Sequence, residues 1–282
     1  MEQTGLVSSI RHDSLLLLSD ENSSFAPPIY RPSPFYMLSF HLDRILAAAA
    51  AAGRAYPHLR GRSGLELLGK MIEQYVVSLA LNEVQALKVR PYSPTMKPPV
   101  ILTLSIKVRL VLPPEGNIEV SSTQIPATHM EALFPESLDD VLQAHPTYCI
   151  FVSHFECRPD FHTQHKTTNR SQYDLIRSVL PPAAHDDVPQ EILLVNGKGE
   201  IMEGSFTTPY FRRDDRWITP AESSGGNIGV TRRWALERAM CVEGLVHASS
   251  IHAGSGCEKV VLSNGARGFG WGMVQPLKNE KR

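Results

Sequence analysis

The segment His165–Arg177 reads HKTTNRSQYDLIR. One lysine stands among polar neighbours, with two β-branched residues directly after it and an arginine and a tyrosine a few positions on. Taken alone, Lys166 has the features of a solvated surface charge. A lysine amine forms Schiff bases when burial or neighbouring cations lower its proton affinity. Which kind of lysine this is depends on what the rest of the chain supplies.

The bulk properties narrow the field. A chain of 282 residues, 42% of them hydrophobic, can bury one large core or two ordinary ones. It carries 28 Lys and Arg against 29 Asp and Glu, a formal net charge of -1, and so has no global basic field to draw nucleic acid. Cys149, Cys157, Cys241 and Cys257 are scattered without CxxC spacing. That pattern suits reduced thiols in a cytosolic protein and argues against zinc. His162 and His165 flank Lys166, but two histidines three apart without a third ligand make no metal centre. The opening residues MEQTGLVSSIRHD lack the apolar core of a signal peptide. The run ILAAAAAAG (45–53) has charges on either side and is too short to cross a bilayer. Alanine favours helix, so the run reads as a buried helix of a soluble protein.

Along the chain, residues 6–19 have strand character with a turn at His12-Asp13, and 19–34 form a Pro/Ser-rich loop. A helix capped at Ser39 ends at Gly53. A second spans about 63–86, with apolar residues at Leu65, Leu67, Leu68, Met71, Ile72, Tyr75, Val76 and Leu79 in helical period. Residues 98–122 read as two strands joined by Pro-Pro-Glu-Gly-Asn. Residues 123–150 show weak periodicity and scattered prolines, which suits a connection between domains. The second half is richer in strand and turn signals. They comprise a strand at 191–195, an Asn-Gly-Lys-Gly turn, a further strand and a hairpin turn at Arg213–Asp215. A Gly-rich loop then runs into a helix, and a final strand ends in a small-residue turn at 263–268.

Three features of this half ask for one explanation. GGNIGVTRRWALE (225–237) places backbone amides, unencumbered at three glycines, before a helix start. Such a place binds phosphate, or is a plain turn and cap. It has neither the P-loop lysine nor the dinucleotide spacing. VLSNGARG (261–268) ends a strand in Ser263, Asn264 and Gly265, an anion contact or a simple turn. GEIMEGSFTTPYF (199–211) sets Glu203 between Met202 and Gly204. A buried carboxylate there needs a cationic partner, and a protonated pyridine nitrogen is one. A lysine, an anion site and such a carboxylate together meet the needs of pyridoxal phosphate.

Taken in order, HLDRI (41–45), HKTTNRSQYD (165–174), GEIMEGSFTTPYF (199–211), GGNIGVTRR (225–233) and VVLSNGARGF (260–269) resemble the class IV aminotransferases. These are the fold type IV pyridoxal-phosphate enzymes. The local wording is most similar to the fungal aminodeoxychorismate lyase branch. The resemblance implies an α+β fold of two domains, a small N-terminal α/β domain (1–125) and a larger cofactor-binding domain (151–282) with a mixed, barrel-like sheet. Residues 126–150 would connect them. It further implies that Lys166 bonds the cofactor aldehyde, that Glu203 pairs with the ring nitrogen and that Tyr173 lies near the ring. Arg44, the backbone amides of Val230 and Thr231, and Asn264 would hold the phosphate. In one departure, Ser8 stands where relatives carry an acidic residue.

The implied reaction converts 4-amino-4-deoxychorismate to 4-aminobenzoate and pyruvate, with Arg11 and Arg170 as candidates for the substrate carboxylates. A homodimer in the cytoplasm is the accompanying expectation, with a small-molecule substrate and no nucleic-acid or membrane partner. Two alternatives stand beside it: a transaminase on branched-chain or D-amino acids or amines, and a non-catalytic scaffold that kept the fold.

Overall fold

A computed structural model describes residues 4–87, 105–115, 117–183, 188–254 and 256–277. The chain divides into two compact units, 1–127 and 128–282.

The first unit contains β1 (Leu6–His12), α1 (Asp20–Ser24), α2 (Leu38–Ala51), α3 (Gly61–Leu87), β2 (Ile106–Leu112) and β3 (Glu119–Gln124). The strands form one antiparallel sheet in the order β1-β2-β3. The alanine run is the buried α2, with Leu38, His41, Leu42, Ile45, Ala48 and Ala49 on its covered face. Their spacing is that of one helical stripe. Gly53, at φ +66, ends the helix. Arg54 N–H reaches Ala49 O (2.8 Å) and Gly53 N–H reaches Ala50 O (3.0 Å), the Schellman arrangement. The start differs from the expected cap at Ser39. Met37 takes the cap position in a left-handed conformation, φ 49, without a side-chain hydrogen bond. Ser39 already lies inside the first turn and gives its N–H to Phe25 O. The strand character expected through residue 19 stops at His12, because Asp13 accepts from Leu15 N–H and starts a short 3₁₀ turn at Ser14–Leu18. Ser19 caps α1 in the same way inside the expected loop. Residues 98–104 of the expected strand, and the side chains of Val76 and Leu79, lie outside the described residues.

The second unit holds α4 (Met130–Leu133), α5 (Leu138–Val141), β4 (Tyr148–Glu156), α6 (Phe161–Gln164), α7 (Ser171–Arg177) and β5 (Gln190–Val195). There follow β6 (Ile201–Gly204), β7 (Thr208–Arg213), β8 (Arg216–Pro220), α8 (Val230–Glu237), β9 (Val242–Gly244), β10 (Lys259–Asn264) and β11 (Gly268–Val274). Their eight strands make one curled mixed sheet, in the order β6-β5-β4-β11-β10-β7-β8-β9. The pairs β4–β5, β4–β11 and β8–β9 are parallel and the others antiparallel. Both faces of its centre are covered. Ile150, Leu193 and Leu262 join one apolar cluster, while Phe151, Ile192 and Leu194 join a second with Tyr173 and Ile176 of α7. That explains the unbroken apolar run at 192–195, since a strand buried on both faces has no polar alternation.

Residues 128–150 belong to this unit and do more than connect. α4 and α5 pack on β11, and β4 already enters the sheet at Tyr148. Weak periodicity there reflects two helices of one turn each, too short to show a 3.6-residue repeat.

Candidate active site

Lys166 sits between two helices that fix the chain on either side of it. Asp160 caps α6 by accepting from His162 and Thr163 N–H (2.7 and 3.0 Å), and Thr163 Oγ1 accepts from Asp160 N–H in return. After the lysine, His162 Nδ1 lies 3.0 Å from Thr167 Oγ1, which also bonds Asn169 O. Asn169 Oδ1 takes Ser171 N–H at the start of α7. The polar run Thr167–Asn169 is therefore a closed turn. It sets the backbone from which Lys166 projects, half-buried.

Glu203, on β6, is buried. Its Oε1 accepts from Tyr173 Oη at 2.6 Å, and its carboxylate also accepts the backbone N–H of Asn227. Burial pushes its pKa up to about 7, against the opposing pull of the Tyr173 hydroxyl, the Asn227 amide, and the Lys166 and Arg170 cations. Burial and the Glu203 charge in turn push the nearby Cys157 thiol up to about 12. Burial makes this carboxylate costly to ionise, and its two donors with the Lys166 and Arg170 cations offset only part of that cost.

The glycines of the 225–229 loop serve close approach. A Cβ on Gly225 would lie 2.5 Å from Pro159 Cβ, and one on Gly226 would lie 2.4 Å from Met202 O. The loop thus threads between the Lys166 segment and β6, and brings the Asn227 amide to Glu203. It delivers the chain to α8, whose cap Gly229 makes no side-chain hydrogen bond. A helix start of this kind offers uncapped amides to an anion. Trp234 anchors α8 against the rings of Phe134 and Phe269, at centroid distances of 5.6 and 5.5 Å. Thr231 Oγ1 lies 2.7 Å from Ser263 Oγ, which lies 2.8 Å from Tyr210 Oη. Asn264 has another occupation. Its Oδ1 accepts from Ala266 and Arg267 N–H and closes the turn after β10. Ser263, one position earlier, is the side chain that meets Thr231.

Arg170 lies with its guanidinium 4.4 Å from the Tyr173 ring centroid and 4.9 Å from that of Phe206, and gives Nη2–H to Ser205 O at 2.8 Å. Sequence reasoning passed over its partner Arg177, which bonds Ser205 Oγ (2.6 Å) and stacks on Phe206 at 4.4 Å. It also passed over Glu191, the buried acceptor beneath this loop, and over Asn227, whose contribution is a backbone amide that no residue type announces.

Arg44 and Arg11 belong to the first unit. Arg44 Nη2 donates to Ser8 Oγ (3.0 Å), and Ser8 Oγ lies 2.8 Å from His41 Nδ1. Ser8 thus joins the arginine to the helix face that carries it. Arg11 is fully buried. Its Nε and Nη2 both donate to Asp13 Oδ2 (2.9 and 2.6 Å), and Nη2 also reaches Pro126 O. Its Nε and Nη2 edge is thus already engaged by Asp13. Among the described residues no group of three His, Cys, Asp or Glu side chains could hold a metal, and no helix is long and apolar enough to cross a membrane.

The curled sheet, the lysine turn and the buried glutamate define a protein class, and comparison with known proteins supplies its family. Residues 28–270 match the family model for amino-transferase class IV. The chain belongs to the class IV aminotransferase family. A Schizosaccharomyces pombe protein provisionally named as an aminodeoxychorismate lyase is 26% identical over 264 residues, covering 92% of this chain and 93% of that one. Among solved structures, the Pseudomonas aeruginosa 4-amino-4-deoxychorismate lyase superposes with TM-score 0.55 at 15% identity, over 98% of this chain and 86% of the other. The T.th. branched-chain amino acid aminotransferase, solved with N-(5'-phosphopyridoxyl)-L-glutamate, gives 0.59 at 15% identity, over 98% and 79%.

The family is pyridoxal-phosphate dependent, and the residues fit that group. A buried carboxylate whose burial outweighs the nearby cations is one that a pyridinium nitrogen would further stabilise. The uncapped first turn of α8, with the Thr231–Ser263 hydroxyls, offers donors of the kind a phosphate takes.

Proposed function

We propose that this protein is a pyridoxal-phosphate-dependent lyase that converts 4-amino-4-deoxychorismate to 4-aminobenzoate and pyruvate, a folate-precursor step. Lys166 would hold the cofactor at its aldehyde carbon and Glu203 at its ring nitrogen. The amides of Val230 and Thr231 would hold the phosphate. When bound, the cofactor supplies an electron sink for the carbon that bears the substrate amine. Lys166, released by that amine, takes the proton from this carbon as general base. The C–O bond to the enolpyruvyl group then breaks, the ring becomes aromatic, and the Lys166 ammonium or a water protonates the departing enol to give pyruvate. Glu203, charged and buried, favours a protonated ring nitrogen throughout. The work left to the protein is mainly orientation and exclusion of water, because aromatisation drives the reaction forward.

The observation that carries this reading is the buried Glu203 held by Tyr173 and Asn227 in the field of Lys166 and Arg170. Similarity to the fission-yeast protein along nearly the whole chain supports the lyase over its rival. Arg170, whose charge acts on this acid, is a candidate for the substrate carboxylates, and a cytoplasmic homodimer accompanies the reading.

The test is an assay of purified protein with aminodeoxychorismate, with and without a keto acid. The lyase forms aminobenzoate and pyruvate in its absence. Turnover that requires the keto acid would make the protein a transaminase. A protein that binds the cofactor and turns over neither class of substrate would be a scaffold.

A further inference from the structure

Tyr173, expected beside the cofactor ring, has its hydroxyl bonded to Glu203. Tyr173 and Glu203 are both buried, and the Oη–Oε1 separation of 2.6 Å is that of an O–H donating to a charged carboxylate. A second acceptor, Thr163 O, lies at 3.5 Å, too far to compete for the single proton. On the ring face the Arg170 guanidinium sits 4.4 Å from the centroid, and Arg170 is itself fixed through Ser205 O. The groups around Glu203 are therefore Tyr173 and Arg170 at α7, Lys166 on the preceding turn, the Asn227 amide from the glycine loop, and the neutral Cys157 thiol after β4.

We propose that Tyr173 is a positioning residue that acts through Glu203. Its O–H holds Oε1, stabilises the carboxylate as an anion, and leaves Oε2 to meet the ring nitrogen. Arg170, by its cation on the ring and its own field, reinforces the same charge state. This inference rests on the functional reading above. Without the tyrosine proton the carboxylate becomes the stronger base, and the proton it shares with the ring nitrogen moves toward Glu203. The chemistry at the substrate carbon then loses part of its electron sink, although no atom of Tyr173 touches the substrate.

The experiment loads full-length protein with pyridoxal phosphate labelled at the ring nitrogen and reads the nitrogen resonance by NMR, with the cofactor dissociation constant from equilibrium dialysis. In the wild type the resonance is that of a protonated nitrogen. In Tyr173→Phe it moves toward the unprotonated position and affinity falls about tenfold, the loss of one hydrogen bond to a charged group. In Glu203→Gln the nitrogen is unprotonated, and adding Tyr173→Phe changes neither readout more than about twofold, because the residue through which Tyr173 acts is gone. An equal loss in both backgrounds, or an unmoved resonance in Tyr173→Phe, overturns the proposal. Should Tyr173→Phe fail to fold, the wild-type phenol proton decides. A downfield, slowly exchanging resonance that Glu203→Gln removes supports the bond, and one that survives the substitution overturns it. A wild-type protein that takes up no cofactor overturns this inference together with the functional reading. Uptake with an unmoved resonance in Tyr173→Phe overturns the role of Tyr173 alone.

Discussion

Ser205 Oγ lies 2.5 Å from Glu191 Oε1, and this contact ties the loop between β6 and β7 to β5. The same carboxylate accepts from Thr207 Oγ1 (2.8 Å), Phe206 N–H (3.1 Å) and Ile192 N–H (2.9 Å), with Arg177 at 3.8 Å. Removing a buried acid that holds this many donors leaves backbone and hydroxyl groups around it short of an acceptor. Glu191→Ala is expected to cost about 3 kcal/mol in urea unfolding, in the range for breaking a buried ionic network. Ser205→Ala should cost about 1 kcal/mol. A Glu191→Ala loss under about 0.5 kcal/mol, the level of an ordinary surface change, would show that the loop does not depend on this acid.

The pair Arg11–Asp13 makes the corresponding argument in the first unit. Burial alone would raise the Asp13 pKa. The Ser105 hydroxyl, the Leu15 amide and Arg11 more than offset that and hold it below the usual carboxylate value. Arg11→Met leaves Asp13 charged and short of its cation, and is expected to lower stability by about 3 kcal/mol. Because the folded pKa of Asp13 is depressed, its contribution is present at neutral pH and is lost as pH falls through the folded value. A raised KM for substrate with unchanged unfolding in Arg11→Met would return this arginine to the substrate.

Glu203 works in the opposite sense. Its folded pKa, about 7 in place of 4.5, means that the folded chain holds this proton more tightly than the unfolded one. In cofactor-free protein the stabilisation is therefore complete below about pH 4.5 and disappears as pH rises to about 7. Its size is on the order of 3 kcal/mol. Unfolding of the cofactor-free protein across this window should show stability falling with pH. Glu203→Gln, which cannot ionise, should flatten the fall, and equal slopes in the two proteins would contradict it. Bound cofactor should flatten it too, by giving the anion a cation.

These residues differ in how far the sequence announces them. Lys166 and Glu203 carry their chemistry in side chains and sit in ordered motifs, so they can be named before any coordinates. The strands at 191–195 and 201–204 show through their apolar runs and turns. The Arg11–Asp13 pair was not legible, because an arginine beside Ile10 in a strand looks unengaged and Asp13 reads as a turn residue. Asn227 contributes only a backbone N–H, and Ser263 differs from Asn264 only in which side of a strand end it occupies. Such facts depend on pleat and register, and composition does not encode them. The short helices at 130–141 escaped for a related reason, being one turn each and held by the sheet rather than by their own periodicity.

Gly226 offers the sharpest test of how the loop builds the site. The residue carries no positive φ, so a side chain there is excluded by space alone. An added Cβ would lie 2.4 Å from Met202 O, 2.8 Å from Met202 C and 3.2 Å from Glu203 Cβ. Two of these are backbone atoms of β6 and cannot turn aside. At Gly229 the conflict is of another kind, since its Cβ would meet Thr208 Oγ1 at 2.8 Å, a hydroxyl free to rotate about one bond. Gly226→Ala must therefore push the loop off the strand, and the Asn227 N–H leaves Glu203 with it. The expected result is a stability loss of about 2–3 kcal/mol and at least about tenfold weaker pyridoxal-phosphate binding. Gly229→Ala should cost about 1 kcal/mol or less. Unfolding curves and the visible absorbance of bound cofactor measure both. Comparable losses in the two variants would mean that the loop tolerates displacement from β6, and that Glu203 does not rely on the Asn227 amide.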